Sequence, residues 1–514
     1  MSLARTRKTI LLLILSVLCA SSQAWSQSKP PDQRVQIQKL EDIAVDVPLG
    51  PNEPPLQLSL QKLMELYKIP AFSIAVIDNY QIAWAKAYGV TDAGSNKPVT
   101  TRTLFQAGSI SKPVAATGTL YLVEKGKLSL DEDVNQELKT WKVPENEFTK
   151  TQKVTLRRLM SHTAGLTVHG FPGYDLDAPR PTLMQIFNGE KPANTAPICV
   201  DAVPGTLERY SGGGVTIEQQ LVIDVTGTAF PEFMHDTVVE KIGMTDSSYA
   251  QPLPADWAAR TAAGTYADGK PVHGRWHIYP EMAAAGLWTT PTDLAKFAIE
   301  IALSKQGKAN HVLSEKMTNE MLTPVMDEAG LGFFLDKNNP GQFGHDGADE
   351  GFQALLTMNA NTGKGVAIMA DSDRGIFAGQ LVMLSIAREY SWNYKAAPDP
   401  VSTLLLLAKM KGPTAALQRY TEIKTSDAKA VNEETLNNLG YLLLQEGQAP
   451  AAITVFQQNV QEYPQSWNVY DSLGEAYMDA GQKYLAISNY EKSLQLNPKN
   501  ENGIQKLKQL KESK

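Results

Sequence analysis

Residues 439–464 recur 34 residues later as 473–498, with Leu439/Leu473, Gly440/Gly474, Gly447/Gly481, Ala452/Ala486, Phe456/Tyr490 and Pro464/Pro498 in one register. Each unit has room for two helices and a turn, and neither could bury its apolar side without a neighbour to stack on. The small residues let paired helices approach, and the large ones fill the seam between them. From about Val401 the composition shifts to helix formers, so residues 400–514 are expected to form an all-α tail. The stretch "VSTLLLLAKMKGPTAALQRYTEI" supplies a degenerate unit before the two clear ones, and residues 501–514 a polar capping helix after them. This tail is expected to pack on the domain that precedes it.

The opposite end of the chain reads differently. Arg5, Arg7 and Lys8 precede an apolar run over residues 10–20 and then small and polar residues. That is the layout of a signal peptide, here residues 1–26, and the run falls short of the roughly 20 apolar residues a membrane-spanning helix needs. Leu18 stands before Cys19 where a lipid-anchor signal needs a small residue, so none is expected. No later segment is apolar enough to span, and the mature protein is expected to be periplasmic or secreted. Removal of the signal leaves Cys199 as the one thiol, so the fold must hold without an internal disulfide. A net charge of −7 without a long run of lysine and arginine excludes nucleic acid and anionic membrane surfaces as partners.

Residues 27–55 form a polar, proline-punctuated lead-in. After it, "AFSIAVIDNYQIAWAKAYGV" reads as two β-rich runs meeting at Asp78 and Asn79. A similar pair, "GFQALLTMNANTGKGVAIMADSD", turns near Asn361 to Gly363. The sequence between these pairs is mainly helical. Hairpins at both ends of a helical middle predict an α+β domain over residues 56–395, its antiparallel sheet built from the two ends and flanked by the helices.

The pattern S-x-x-K occurs four times, as Ser26/Lys29, Ser59/Lys62, Ser109/Lys112 and Ser426/Lys429. Ser26 lies at the expected signal cleavage point, Ser59 and Lys62 read as ordinary positions of an amphipathic helix, and Ser426 falls in the loop "KTSDAKA". Ser109 differs. Gly108 precedes it, and Pro113 is tolerated only near a helix start, so Ser109 and Lys112 share one face of a first turn. The following "VAATGTLYLVEKG" is apolar enough to be buried. Serine needs a neighbouring base to become a nucleophile, and lysine is a base only when neutral. Lowering its pKa by about three units through burial would cost on the order of 4 kcal/mol and make the amine competent.

These residues carry a resemblance. S-x-x-K is the nucleophile motif of serine β-lactamases and penicillin-binding proteins, and the chain resembles the class C β-lactamase and family VIII esterase branch. "LMSHTAGL" (159–166), "RYSGGG" (209–214), "AAAGLWTTPTDLAKF" (283–297) and "GHDGADEGF" (344–352) follow in family order, and the likeness runs over roughly residues 58–394. The 34-residue units resemble tetratricopeptide repeats. The first resemblance implies a serine hydrolase acting through an acyl-serine, with no metal or organic cofactor. It implies Ser109 as nucleophile, Lys112 as proton acceptor and Tyr210 as proton shuttle. His345 and Gly347 would line the edge strand facing the substrate. The backbone N–H groups of Ser109 and Ala348 would form an oxyanion hole, worth roughly 3–4 kcal/mol per donor.

Two positions depart from the family pattern. Gly212 stands where the tyrosine motif usually ends in asparagine, and His345 where true β-lactamases often carry lysine. β-Lactams, D-amino-acid peptides and carboxylic esters therefore all remain open as substrates. With histidine in place of a fixed cation, turnover of carboxylate-bearing substrates is expected to improve as pH falls toward the histidine pKa. His162 reads as a structural hydrogen-bonder. His273, His277 and Glu281 have metal-like spacing, but Gly274 and Pro280 break the helix that would align them. No G-x-S-x-G is present, so an α/β-hydrolase elbow has no candidate. The rival reading is a non-catalytic peptidoglycan or β-lactam sensor acting through its repeats. Those repeats are either a stabilising appendage or a docking surface for a protein or peptide.

Overall fold

The computed structural model describes residues 56–394 and 399–512, together with Ile37 and Val45–Val47. The expected signal peptide and most of the lead-in lie outside the described residues.

Six antiparallel strands form the main sheet in the order β2-β1-β6-β5-β4-β3. They are β1 (Ala71–Asp78), β2 (Gln81–Gly89), β3 (Phe334–Leu335), β4 (Gln342–Asp349), β5 (Phe352–Asn359) and β6 (Lys364–Ala370). The two hairpins foreseen from the sequence meet at its centre, where β1 pairs with β6. The first turn falls on Asn79 and Tyr80, one residue later than expected. Both hold a left-handed backbone, with φ of 51° and 59°, as a two-residue turn matched to strand twist requires. Period-two alternation sends Ala71, Ala75 and Ile77 of β1 to one face and Phe72, Ile74 and Val76 to the other. Both faces are covered by helices, which is why the strand reads as an almost continuous apolar run.

One face packs against the helical region between the hairpins. This contains α2 (Ser111–Glu124), α3 (Gly212–Thr226), α4 (Met282–Ala285) and α5 (Pro291–Ser304). The other face carries α1 (Leu60–Leu66) and α6 (Gly375–Glu389). The helical array continues from there as α7 (Pro400–Lys411), α8 (Pro413–Ser426), α9 (Glu433–Gln445), α10 (Ala449–Glu462), α11 (Trp467–Asp479), α12 (Lys483–Leu496) and α13 (Glu501–Glu512). Inside each repeat a glycine faces an aromatic ring: a Cβ on Gly440 would stand 2.4 Å from Phe456, and one on Gly474 3.3 Å from Tyr490. The pairs α7/α8 and α9–α12 extend the stack, and α13 closes it.

The array shares one apolar core with the sheet, running from Phe72 and Ile368 through Leu404 and Leu405 to Leu436 and Phe456. A buried ionic cluster crosses the same seam. Arg374, just before α6, donates from Nε to Glu446 at 3.1 Å and from Nη2 to the Leu442 carbonyl at 3.0 Å, while Lys409 pairs with the other Glu446 oxygen. The expected packing of tail on domain is therefore present, and the two share an interior.

Candidate active site

Ser109 lies on a one-turn 3-10 segment, Gly108–Ile110, that runs directly into α2. The chain enters this turn at Gly108, whose φ is +50°, and a Cβ there would sit 2.4 Å from the Ala348 nitrogen. Gly347 is equally constrained, because its Cβ would meet the Ala107 carbonyl at 1.9 Å. Two glycines thus let strand β4 lie backbone to backbone against the turn that carries Ser109. From Ser111 to Leu120 every residue of α2 is buried. The Ser111 carbonyl accepts from the Tyr249 hydroxyl at 2.6 Å, and its Oγ accepts from Leu287 N at 2.9 Å.

Lys112 Nζ donates to Ser109 Oγ at 2.8 Å and to the Ala284 carbonyl of α4 at 2.8 Å. Lys112 is 3 % exposed, whereas Ser109 is half-buried and open to solvent. Burial pushes the Lys112 amine down to about 7, with Asp349 and Glu218 pulling it back up. About half of such amines are neutral at pH 7, against roughly one in 2,500 for a free lysine.

Tyr210 precedes α3, whose N-cap Ser211 accepts from Gly214 N at 3.0 Å. Lys112 Nζ stands 4.9 Å from the Tyr210 ring centre. Burial raises the Tyr210 hydroxyl, the Ser109 hydroxyl opposes that shift, and the phenol oxygen closes no hydrogen bond of ordinary geometry. The ring is held between His162, 4.3 Å away, and His169, 4.8 Å away. His162 Nδ1 accepts from Ser211 N at 3.3 Å, the structural role expected of it. Gly212 opens α3 and faces Phe171, whose ring a Cβ would approach to 3.1 Å.

On β4, His345, Gly347 and Asp349 are buried while Asp346 and Ala348 are exposed. Asp336 N donates to the Gln342 carbonyl, and the β4–β5 register is unbroken from Gln342 to Asp349. Even-numbered residues of β4 therefore turn their backbone groups away from β5. Strand β3 pairs only as far as Gly344, so the Ala348 N–H points to the unpaired edge, beside the turn bearing Ser109. Ser109 N–H lies in the opening turn of a helix, where no preceding carbonyl is in place to accept it. The arrangement brings a serine hydroxyl, a buried amine with a lowered pKa and backbone donors to one place.

His345 departs from expectation. Its Nδ1 donates to the Asp346 carbonyl at 2.6 Å, leaving Nε2 as a buried acceptor without a partner. Burial, reinforced by the Lys112 amine, pushes its pKa down to about 3. His345 therefore stays neutral across the working range, and the expected gain for carboxylate substrates at low pH is withdrawn. The ratio of turnover for a carboxylate-bearing ester to that for a neutral ester is now expected to be flat between about pH 5.5 and 8, a range bracketing an ordinary histidine pKa. Steady-state rates across that range check it, and a ratio rising severalfold toward pH 5.5 would contradict it.

Two buried carboxyls near the site, Glu218 and Asp349, escaped the sequence reading, and a third, Glu281, entered it only through its metal-like spacing. Glu218 Oε1 accepts from Thr119 at 2.7 Å, and burial pushes the group up to about 7. Glu281 is fully buried without a hydrogen-bond partner and is pushed up to about 8. Asp349 is raised well above the carboxylate range by burial, opposed by the Lys112 amine and the Gly108 N–H. Of the first two, only Asp349 had a signal in the sequence, its place two residues beyond Gly347 on the same strand face. His273 and His277 both approach Asp175, at 3.5 and 3.1 Å. Glu281 joins neither of the two groups of candidate metal ligands found among the described residues.

Of the other serine–lysine pairs, Ser59 caps α1 by accepting from Lys62 N at 3.1 Å. Ser426 ends α8 instead of lying in a loop, and Ser26 is outside the described residues.

An antiparallel sheet between helical layers, with a serine–lysine pair opening a buried helix beside the stretch of β4 that β3 leaves unpaired, defines a penicillin-binding-protein-like fold. The chain belongs to the beta-lactamase family, whose model matches residues 57–382, and a tetratricopeptide repeat model matches residues 468–500. It is 28% identical over 242 residues to a beta-lactamase of Pseudomonas fluorescens, covering 46% of this chain and 62% of that protein, less than two thirds of its length. It is 25% identical over 331 residues to penicillin-binding protein 4 of Amycolatopsis lactamdurans, covering 59% of this chain and 81% of that one. Among solved structures, the octameric penicillin-binding protein homologue from Pyrococcus abyssi superposes with a TM-score of 0.52 at 21% identity, over 65% of this chain and 77% of the other. The penicillin-binding protein from Bacillus halodurans gives a TM-score of 0.50 at 22% identity, over 65% and 100%. Among the described residues, no helix is long and apolar enough to cross a membrane.

Proposed function

We propose that the protein is an exported serine hydrolase that cleaves an ester or amide through a covalent acyl-serine. The observation that carries this is the buried, half-neutral Lys112 amine 2.8 Å from the half-exposed Ser109 hydroxyl. Neutral Lys112 takes the Ser109 proton as Oγ bonds to the substrate's carbonyl carbon. The oxyanion that forms is held by the N–H groups of Ser109 and Ala348. The proton passes by way of Tyr210 to the departing alkoxide or amine as its bond to carbon breaks. Water then adds to the acyl-serine, giving its proton back through the same groups, and the acid leaves with Ser109 restored. Neutral His345 and side-chain-free Gly212 supply neither a fixed cation nor an amide, so substrates are recognised without a carboxylate anchor at that edge. Export rests on the composition of residues 1–26.

Incubation with a chromogenic ester and a chromogenic cephalosporin tests the proposal. Turnover of at least one is expected, and its loss in Ser109→Ala. Stoichiometric labelling without turnover would favour a sensor, and silence on both would leave a binding module.

A further inference from the structure

A cleft of about 760 Å³ opens beside Ala348, a volume suited to a small organic ligand. The hairpin contributes Ala348, Glu350 and Gln353 to its wall, and Tyr266, Arg374 and Gln445 close it. Gln445 is the last residue of α9, so the helical array supplies part of the same cleft that begins at the unpaired end of β4. Apart from Phe171, Ala267 and Ala348, the residues lining it are polar.

The Gln445 amide is not free to turn over. Arg374 Nη2 donates to Gln445 Oε1 at 3.0 Å, and a guanidinium has donors only, so the amide oxygen must face it. Arg374 is in turn fixed by the Leu442 carbonyl and Glu446 and is 4 % exposed. The Gln445 side chain itself is exposed. Its Nε2 hydrogens are thus held in a set orientation and remain available to an acceptor in the cleft.

We propose that Gln445 is a specificity-determining residue: its Nε2 donates to a carbonyl oxygen on the part of the substrate that extends past Ala348. The inference rests on Ser109 being the nucleophile. It narrows the substrate class to esters or amides bearing a peptide-like extension, as opposed to an alkyl chain of equal length. It also gives the array a role in the reaction, as one wall of the binding site.

The test compares two matched esters of equal length, one with an amide-bearing extension and one with an alkyl extension, placed in turn on the acyl and alcohol sides. Wild-type protein is expected to favour the amide-bearing ester in kcat/KM, mainly through KM, on one of the two sides. In Gln445→Glu, which keeps the shape and the Arg374 contact but loses the donor, that preference should fall about fivefold, the worth of one hydrogen bond. Gln445→Ala should do the same. A preference equal in wild type and both variants, or a wild type that favours the alkyl ester, overturns the proposal. Because the readout is a ratio within each protein, partial misfolding of a variant does not imitate the effect. Turnover of either ester that survives Ser109→Ala would instead overturn the nucleophile assignment beneath it.

Discussion

Lys112→Met is expected to lower kcat/KM for any substrate of the wild-type protein by about a hundredfold to ten-thousandfold while making the fold more stable at pH 7. Both effects have one cause. The amine is buried and its pKa is pushed from 10.5 to about 7, so the folded state pays to bind the proton that the unfolded chain holds readily. Between pH 7 and 10.5 the unfolded chain binds more protons at this site than the folded one, and stability rises with pH through that window. The penalty is full below about pH 7, on the order of 4 kcal/mol, and vanishes above 10.5. Methionine removes it but leaves the Ala284 carbonyl without its donor, which returns roughly 1–3 kcal/mol. A net gain of about 1–3 kcal/mol at pH 7, shrinking as pH rises toward 10, should appear in urea unfolding. Equal pH dependence of stability in the two proteins would mean that Lys112 does not titrate as described. If Lys112 is the base, as proposed, its removal leaves Ser109 with an ordinary hydroxyl, and general-base assistance alone accounts for 10²–10⁴-fold.

The second large effect lies at the seam between sheet and array. The Glu446 carboxylate has no solvent exposure and sits between Arg374 and Lys409, whose side chains are 5 % and 4 % exposed. Glu446→Ala strands two cations in the interior and should cost about 3–5 kcal/mol. The unfolding midpoint in urea is expected to drop in a single transition, since array and sheet share one apolar core. Replacing all three residues with apolar ones of similar volume should recover most of the loss, because the desolvation of the ions disappears with them. A loss below about 1 kcal/mol for Glu446→Ala would put this cluster in the class of exposed, weakly contributing pairs.

Both regions show what the sequence could and could not reveal. The repeat register was legible because glycine must face an aromatic ring in each unit, and Gly440 against Phe456 is that contact. The serine–lysine pair was legible because spacing on a helix start is a local property, and so was the depression of the lysine pKa once the helix after it read as buried. The first hairpin turn was displaced by one residue, since tyrosine at a positive φ is no turn signal. His345 was misread for a different reason. Its neutrality comes from burial and from a lysine more than two hundred positions away in the chain, and no local pattern encodes either. Glu218, the burial of Glu281 and the Arg374–Glu446 contact were hidden likewise. A charged letter in a helix or loop reads as solvated until the tertiary fold closes over it.

The most direct measurement of the central claim is peptide mapping by mass after brief exposure to an activated ester or β-lactam and an acid quench. The account predicts an acyl adduct on the peptide bearing Ser109, absent from Ser109→Ala and strongly reduced in Lys112→Met. Substrate turnover with the adduct on another residue, or an adduct that persists in Ser109→Ala, would contradict it.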